Sequence, residues 1–186
     1  MRAALAAEHS LVYVYERDLD HTGHKLGVGS PQWLAQLSRV DSLAAQLREA
    51  LPPDVRLLIT GDHGMIDVPE QSRLTIEHEP ELRAGVRLVG GEGRFRQLYT
   101  AEVEAVAARY RDRLGEAAWV RTRAEAIDAG WFGPVHPRLA DRFGDVLVAM
   151  ADDGALMTTT QPNEFGLVGM HGSLTEAELA VPLLVG

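Results

Sequence analysis

At 186 residues, 46% of them hydrophobic and 24% charged, the chain is long enough for one folded domain that buries about two thirds of the surface its unfolded form would expose. It has no cysteine, which excludes disulfides and thiolate metal sites and leaves any metal to His, Asp and Glu. A net charge of −9 with scattered basic residues argues against a duplex nucleic acid surface; no run reaches the roughly 18 apolar residues of a membrane span, and residues 1–10 lack a signal-peptide pattern.

Residues 11–15 form a β-branched and aromatic run, read as a buried strand that opens onto a long loop over residues 16–30. Ser30-Pro31 then offers a capping hydroxyl before a proline at the first helical position. Trp33, Leu34, Leu37, Val40, Leu43, Ala44 and Leu47 follow at helical spacing, which predicts about five turns of helix to Ala50, stopped by Leu51-Pro52-Pro53. Residues 55–60 read as a second apolar strand. Two parallel strands joined by that helix would bring both following loops to one edge of the sheet, where ligands of open α/β sheets bind.

Beyond residue 68 the pattern changes. Short strand candidates over 73–77, 86–89 and 95–99, a helix over 101–114 and a strand over 119–122 predict an inserted α+β cap spanning residues 69–144. Gly90-Gly91-Glu92-Gly93 reads as a turn rather than a phosphate cradle, because no strand-to-helix context surrounds it. Residues 145–150 and 181–185 read as strands returning to the main sheet, so residues 1–68 and 145–186 would form the core.

Chemistry concentrates in three places. Asp20 and His24 are four apart, with Gly23 allowing a tight turn, and a hard oxygen beside an imidazole suits zinc. Asp62-His63 follows an apolar strand, where packing explains a carboxylate and an imidazole poorly. His171 lies in a loop flanked by Gly169 and Gly172. Taken singly, each could be an ordinary turn residue.

The strings Tyr15-Glu16 through Asp20-His21-Thr22-Gly23-His24, then Gly61-Asp62-His63-Gly64-Met65, then Gly169-Met170-His171-Gly172-Ser173 with Val181-Pro182-Leu183, resemble in order and spacing the type I phosphodiesterase and nucleotide pyrophosphatase family of the alkaline phosphatase superfamily. The resemblance implies an α/β fold with a mixed, mostly parallel sheet, flanking helices and an inserted cap. It also implies that Asp20, His24 and His171 hold one zinc and that Asp62 and His63 supply part of a second site. Such a pair of metals would act on a small phosphodiester or nucleotide, and a bound dication can dominate the local field over the net negative charge. An imidazole and carboxylate set also accepts manganese or iron.

In the family a further Asp and a nucleophilic Thr or Ser lie in the front half of the domain, and the resemblance covers the rear portion only. No hydroxyl here has the nucleophile's setting at a helix N-terminus: Thr22, Thr60, Thr158, Thr159 and Thr160 all read as turn or strand residues. The expectation is therefore an incomplete phosphoric ester hydrolase, inactive alone, with an exposed core edge that favours self-association or pairing with a front half. Two alternatives stand beside it: a non-catalytic zinc-binding fragment, and a sulfatase or metal-dependent phosphomutase of the same superfamily. Trp131-Phe132 in the cap reads as a hydrophobic seal before a base-stacking surface.

Overall fold

The computed structural model describes residues 10–186, so residues 1–9, which include most of the segment read as lacking a signal peptide, lie outside the described part. The chain runs α1 (Asp18–Leu26), α2 (Pro31–Ala50), β1 (Leu58–Thr60), β2 (Ile66–Asp67), β3 (Arg73–Thr75), α3 (Pro80–Arg83), β4 (Val86–Glu92), β5 (Phe95–Thr100), α4 (Val103–Leu114) and β6 (Ala118–Thr122). It continues through α5 (Arg123–Asp128), β7 (Val146–Met150), β8 (Ala155–Met157), β9 (Gly169–Met170), α6 (Glu176–Leu179) and β10 (Leu183–Val185). The class is mixed α/β, as expected. Among the described residues, no helix is long and apolar enough to cross a membrane.

The largest sheet has the order β4-β5-β7-β6, with every neighbouring pair antiparallel. Its central strand β7 is buried at every position, as Val146-Leu147-Val148-Ala149-Met150 demands of a strand covered on both faces. Helix α4 lays Val106, Ala107, Tyr110 and Leu114 on this sheet, and with Leu98, Val120, Val146 and Val148 they make the main core. A capping box between Thr122 and Glu125 starts α5 where β6 ends. The strand expected to return to the main sheet from residue 145 is thus an inner strand of this four-stranded sheet: its apolar run fits a central position, and β5 and β6 supply both its ladders.

The remaining pairings are small: β1 with β10 and β2 with β9 are antiparallel, and β3 with β8 is parallel. The parallel pairing expected to dominate is therefore confined to β3 and β8 among the described residues. Residues 11–15 are not a buried strand: Leu11 is 96% exposed, and among the described residues no ladder partner meets their β-forming composition. Helix α2 forms as predicted, with the Ser30 hydroxyl accepting from the Trp33 amide at 3.2 Å and Pro31 in its first turn, yet none of its residues is buried. Leu34, Leu43, Leu58 and Leu183 leave α2, β1 and β10 with exposed apolar side chains.

Candidate metal centre

Asp20 and His24 lie on α1 rather than on the long loop expected from residue 16. The carboxylate of Glu16 accepts from the amides of Asp18 at 2.8 Å and Leu19 at 3.3 Å and so caps the helix from outside. Asp18 and Asp20 sit in the first turn and His24 and Lys25 in the last, as the helix dipole favours. A spacing of four places Asp20 and His24 one above the other on one face. Gly27, at φ 87°, ends the helix where a Cβ would lie 2.6 Å from Asp67 Oδ2, while Asp67 Oδ1 accepts from the Val28 amide at 2.8 Å.

Glycines let the segments carrying His24, His63 and His171 meet. A Cβ on Gly23 or on Gly169 would lie 2.5 Å from the same Met65 sulfur, so Met65, two residues after His63, is wedged between the helix carrying His24 and the strand leading to His171. The Val168 amide donates to the His24 carbonyl at 2.7 Å, and His24 Nδ1 bonds the Gly169 carbonyl at 2.8 Å. A carbonyl only accepts, so Nδ1 carries the hydrogen and the Nε2 lone pair is free to ligate.

That Nε2 lies 3.4 Å from Asp20 Oδ1, and His171 Nε2 lies 3.9 Å from the same oxygen. Donor atoms of Asp20, His24 and His171 all fall within 4.8 Å of one another. Ligand atoms about 2.1 Å from one tetrahedral zinc sit about 3.4 Å apart, so the cluster is close to the size a zinc needs. Asp20 Oδ1 is buried with no hydrogen-bond partner among the described residues, a costly state for a carboxylate that a bound cation relieves. The residues therefore fit a metal.

Asp62 and His63 occupy the loop after β1. His63 Nδ1 donates to the Gly64 carbonyl at 2.8 Å, which frees its Nε2, and its ring stacks on His171 with centroids 3.5 Å apart. Asp62 Oδ1 is 3.8 Å from His63 Nε2, with its side chain 68% exposed at the open edge. Burial first, then the neighbouring His63, push the His171 imidazole below its ordinary pKa; Glu92 and Asp20 oppose the shift and His24 adds to it. The neutral ring so favoured is the form that binds metal. A cleft of about 140 Å³ opens beside His24 and His171, lined also by Glu92, Glu164 and Leu167.

Several participants gave no clear sequence signal. Glu92, whose Oε2 is 3.9 Å from His171 Nδ1, stood inside a glycine turn. Arg94 and Glu178 are both buried and paired across 84 residues, a separation that no local pattern reveals. Arg96 could have been found: it alternates with Leu98 and Thr100 on the buried face of β5 and pairs with Glu164. His21 is exposed. Trp131 and Phe132 pack edge-on against Phe95, and Phe132 stacks on Phe143 at 4.0 Å, an arrangement that suits a seal.

A mixed α/β fold with acid and imidazole side chains gathered at strand and helix ends accompanies a family match that places the chain in the alkaline phosphatase superfamily. The sequence model of the type I phosphodiesterase / nucleotide pyrophosphatase family matches residues 1–174, and the chain belongs to that family. The structure is similar to human ectonucleotide pyrophosphatase / phosphodiesterase 5, with a TM-score of 0.69 and 17% identity, covering 89% of this chain and 44% of that one. An inactive murine form of the same enzyme in complex with AMP gives 0.67 and 19%, covering 89% and 44%. Phosphonoacetate hydrolase from Sinorhizobium meliloti, in complex with phosphonoacetate, gives 0.66 and 19%, covering 89% and 43%. Among curated proteins, the human catalytic subunit of GPI ethanolamine phosphate transferase 3 is 35% identical over 60 residues, 32% of this chain and 6% of that protein. Its mouse counterpart is 43% identical over 47 residues, 25% and 4% respectively. The chain thus spans less than half the length of the solved structures it matches and a small part of these curated relatives.

Proposed function

We propose that these residues form the metal-binding side of a two-zinc phosphoric ester hydrolase that acts on a small phosphodiester or nucleotide. Asp20, His24 and His171 hold one metal, and Asp62 and His63 contribute to a second beside it. The observation that carries the reading is the buried Asp20 Oδ1, without a hydrogen-bond partner among the described residues, between the Nε2 atoms of His24 and His171. Bound metals supply charge that polarises a phosphoryl oxygen and acidifies an attacking hydroxyl. The chain's own part is to aim the His24 and His63 imidazoles, Nε2 outward, through the Gly169 and Gly64 carbonyls, and to leave Asp62 at the open edge. AMP bound to the murine neighbour supports a nucleotide as the ligand class.

The nucleophile belongs outside the described residues. Thr22 donates to the Asp18 carbonyl, Thr60 to the Gly61 carbonyl and Thr158 to Glu77, while Thr160 bonds Thr158, so each of these hydroxyls is occupied away from the cluster. The exposed Leu34, Leu58 and Leu183 support the same reading, in which this face is covered by the rest of a phosphoesterase core or by another copy. These two observations also favour non-catalytic zinc binding as the behaviour of this chain by itself.

The test is AMP binding by calorimetry, with and without zinc, beside release of p-nitrophenol from bis(p-nitrophenyl) phosphate. Zinc-dependent AMP binding without turnover is expected. Zinc-dependent turnover would show that a nucleophile lies within these residues, and AMP binding indifferent to zinc would overturn the metal-site reading.

A further inference from the structure

We infer that Glu178 is a positioning residue that locks the two ligand-bearing loops to each other, with its backbone on one and its side chain on the other. The inference rests on the metal-site reading above. Glu178, on α6, is 2% exposed, which is rare for a glutamate without a task. Its carbonyl accepts from the Gly64 amide at 2.7 Å, directly after His63. Its Oε1 accepts from the Ser173 amide at 3.0 Å, two residues after His171.

The carboxylate is itself held from three more directions. Arg94 reaches it with Nε at 3.1 Å and Nη2 at 2.7 Å, a bidentate pair, and the Thr175 hydroxyl donates at 2.5 Å. Arg94 Nη1 donates to the carbonyls of Asp152 and Gly154, each at 2.5 Å, which ties the assembly to the turn between β7 and β8. Ser173 adds a hydroxyl bond to the Met150 carbonyl at 2.6 Å. Burial pushes the Glu178 carboxyl up, but the bonds from Arg94, Thr175 and Ser173 outweigh it and hold it below the ordinary range, so it stays ionised at neutral pH.

A buried ion pair is a poor route to stability alone, because well-packed apolar residues commonly do as well. What this pair supplies is geometry. It fixes the distance between the segments carrying His63 and His171, whose rings stack at 3.5 Å, and neither Glu178 nor Arg94 is within the ligand cluster. Outer partners of this kind typically change metal affinity about 10- to 100-fold.

The test uses the whole chain with Glu178→Gln, Arg94→Lys and the surface control Glu79→Gln, whose partner Arg113 lies 3.0 Å away in an unrelated ion pair. Zinc affinity is measured by chelator competition, and cobalt loading is followed by the intensity of its visible ligand-field bands. Thermal melts of the metal-free proteins establish that each is folded at the assay temperature. Glu178→Gln is expected to weaken zinc binding on the order of 10-fold or more and to alter the cobalt spectrum, while Glu79→Gln does neither. A folded Glu178→Gln protein that melts lower but binds zinc within about twofold of the parent, with an unchanged cobalt spectrum, would reduce Glu178 to a structural role and overturn the inference. Should Glu178→Gln fail to fold, Arg94→Lys decides by the same criterion. A parent chain that binds no zinc would instead defeat the metal-site reading, so the two failures are distinguishable.

Discussion

Replacing Gly64 by Ala puts the packing of the loop that carries Asp62 and His63 to a direct test. A Cβ at this position would lie 1.9 Å from the Ala177 carbonyl oxygen, 2.9 Å from its carbon and 3.2 Å from Glu178 Cα, all backbone atoms that no rotamer change can move. Restoring an ordinary contact of about 3.4 Å requires the two segments to part by about 1.5 Å. That movement breaks the 2.7 Å bond from the Gly64 amide to the Glu178 carbonyl. Overpacking costs about 1–3 kcal/mol and the lost bond about 1 kcal/mol, so the sum is about 2–4 kcal/mol. For a domain of this size the melting temperature should fall by about 4–16 °C. Gly61→Ala is the matched control: its Cβ would meet the His63 carbonyl at 3.5 Å, Val181 at 3.6 Å and Pro182 at 3.8 Å, all ordinary contacts. Circular dichroism melts of the metal-free proteins should therefore separate Gly64→Ala from Gly61→Ala, which stays close to the parent. Equal melting temperatures for the two alanines would refute the argument that the loop is pinned against α6.

Gly23→Ala gains about 1 kcal/mol of helix propensity in α1 yet should still destabilise, because the Met65 sulfur it meets is backed by Gly169. The double variant Gly23→Ala/Met65→Ala should recover part of that loss in urea unfolding, and a purely additive result would contradict the wedge. His24→Ala and His171→Ala should each remove the metal of the first site, whereas Asp62→Ala should weaken only the second, as read by zinc content after dialysis. Because the folded pKa of His171 lies below its ordinary value of 6.5, the unfolded chain takes up the proton first as pH falls. The metal-free protein should accordingly hold its His171 contribution above about pH 6.5 and lose it as pH drops toward the folded pKa, and His171→Gln should flatten that part of the stability profile.

What the sequence revealed follows how local each cause was. Helix α2 was legible because Ser30 and Pro31 announce its start and Pro52 its end, and α4 and β5 because their apolar spacing matches their buried faces. Helix α1 was hidden: its Gly23 and polar content suggest a loop, although Asp18 and Asp20 before His24 and Lys25 carry the charge order of a helix. Residues 11–15 look like a strand because composition reports what a segment would do beside a partner, not whether one is present. The place of β7 in the four-stranded sheet depends on which of several apolar strands pair, and that is settled by long-range packing. For the candidate site, the proposed ligands were picked out from their strings, whereas the Met65 wedge and the Arg94–Glu178 pair arise only when distant segments meet.

Metal stoichiometry is the most direct measurement, by elemental mass spectrometry on the parent and on Asp20→Ala, His24→Ala and His171→Ala after dialysis against micromolar zinc. At least one zinc per parent chain is expected, with one equivalent lost in each variant. A parent without zinc, or variants that retain the full complement, would contradict the claim that the orphaned Asp20 oxygen and its two imidazoles are a metal site.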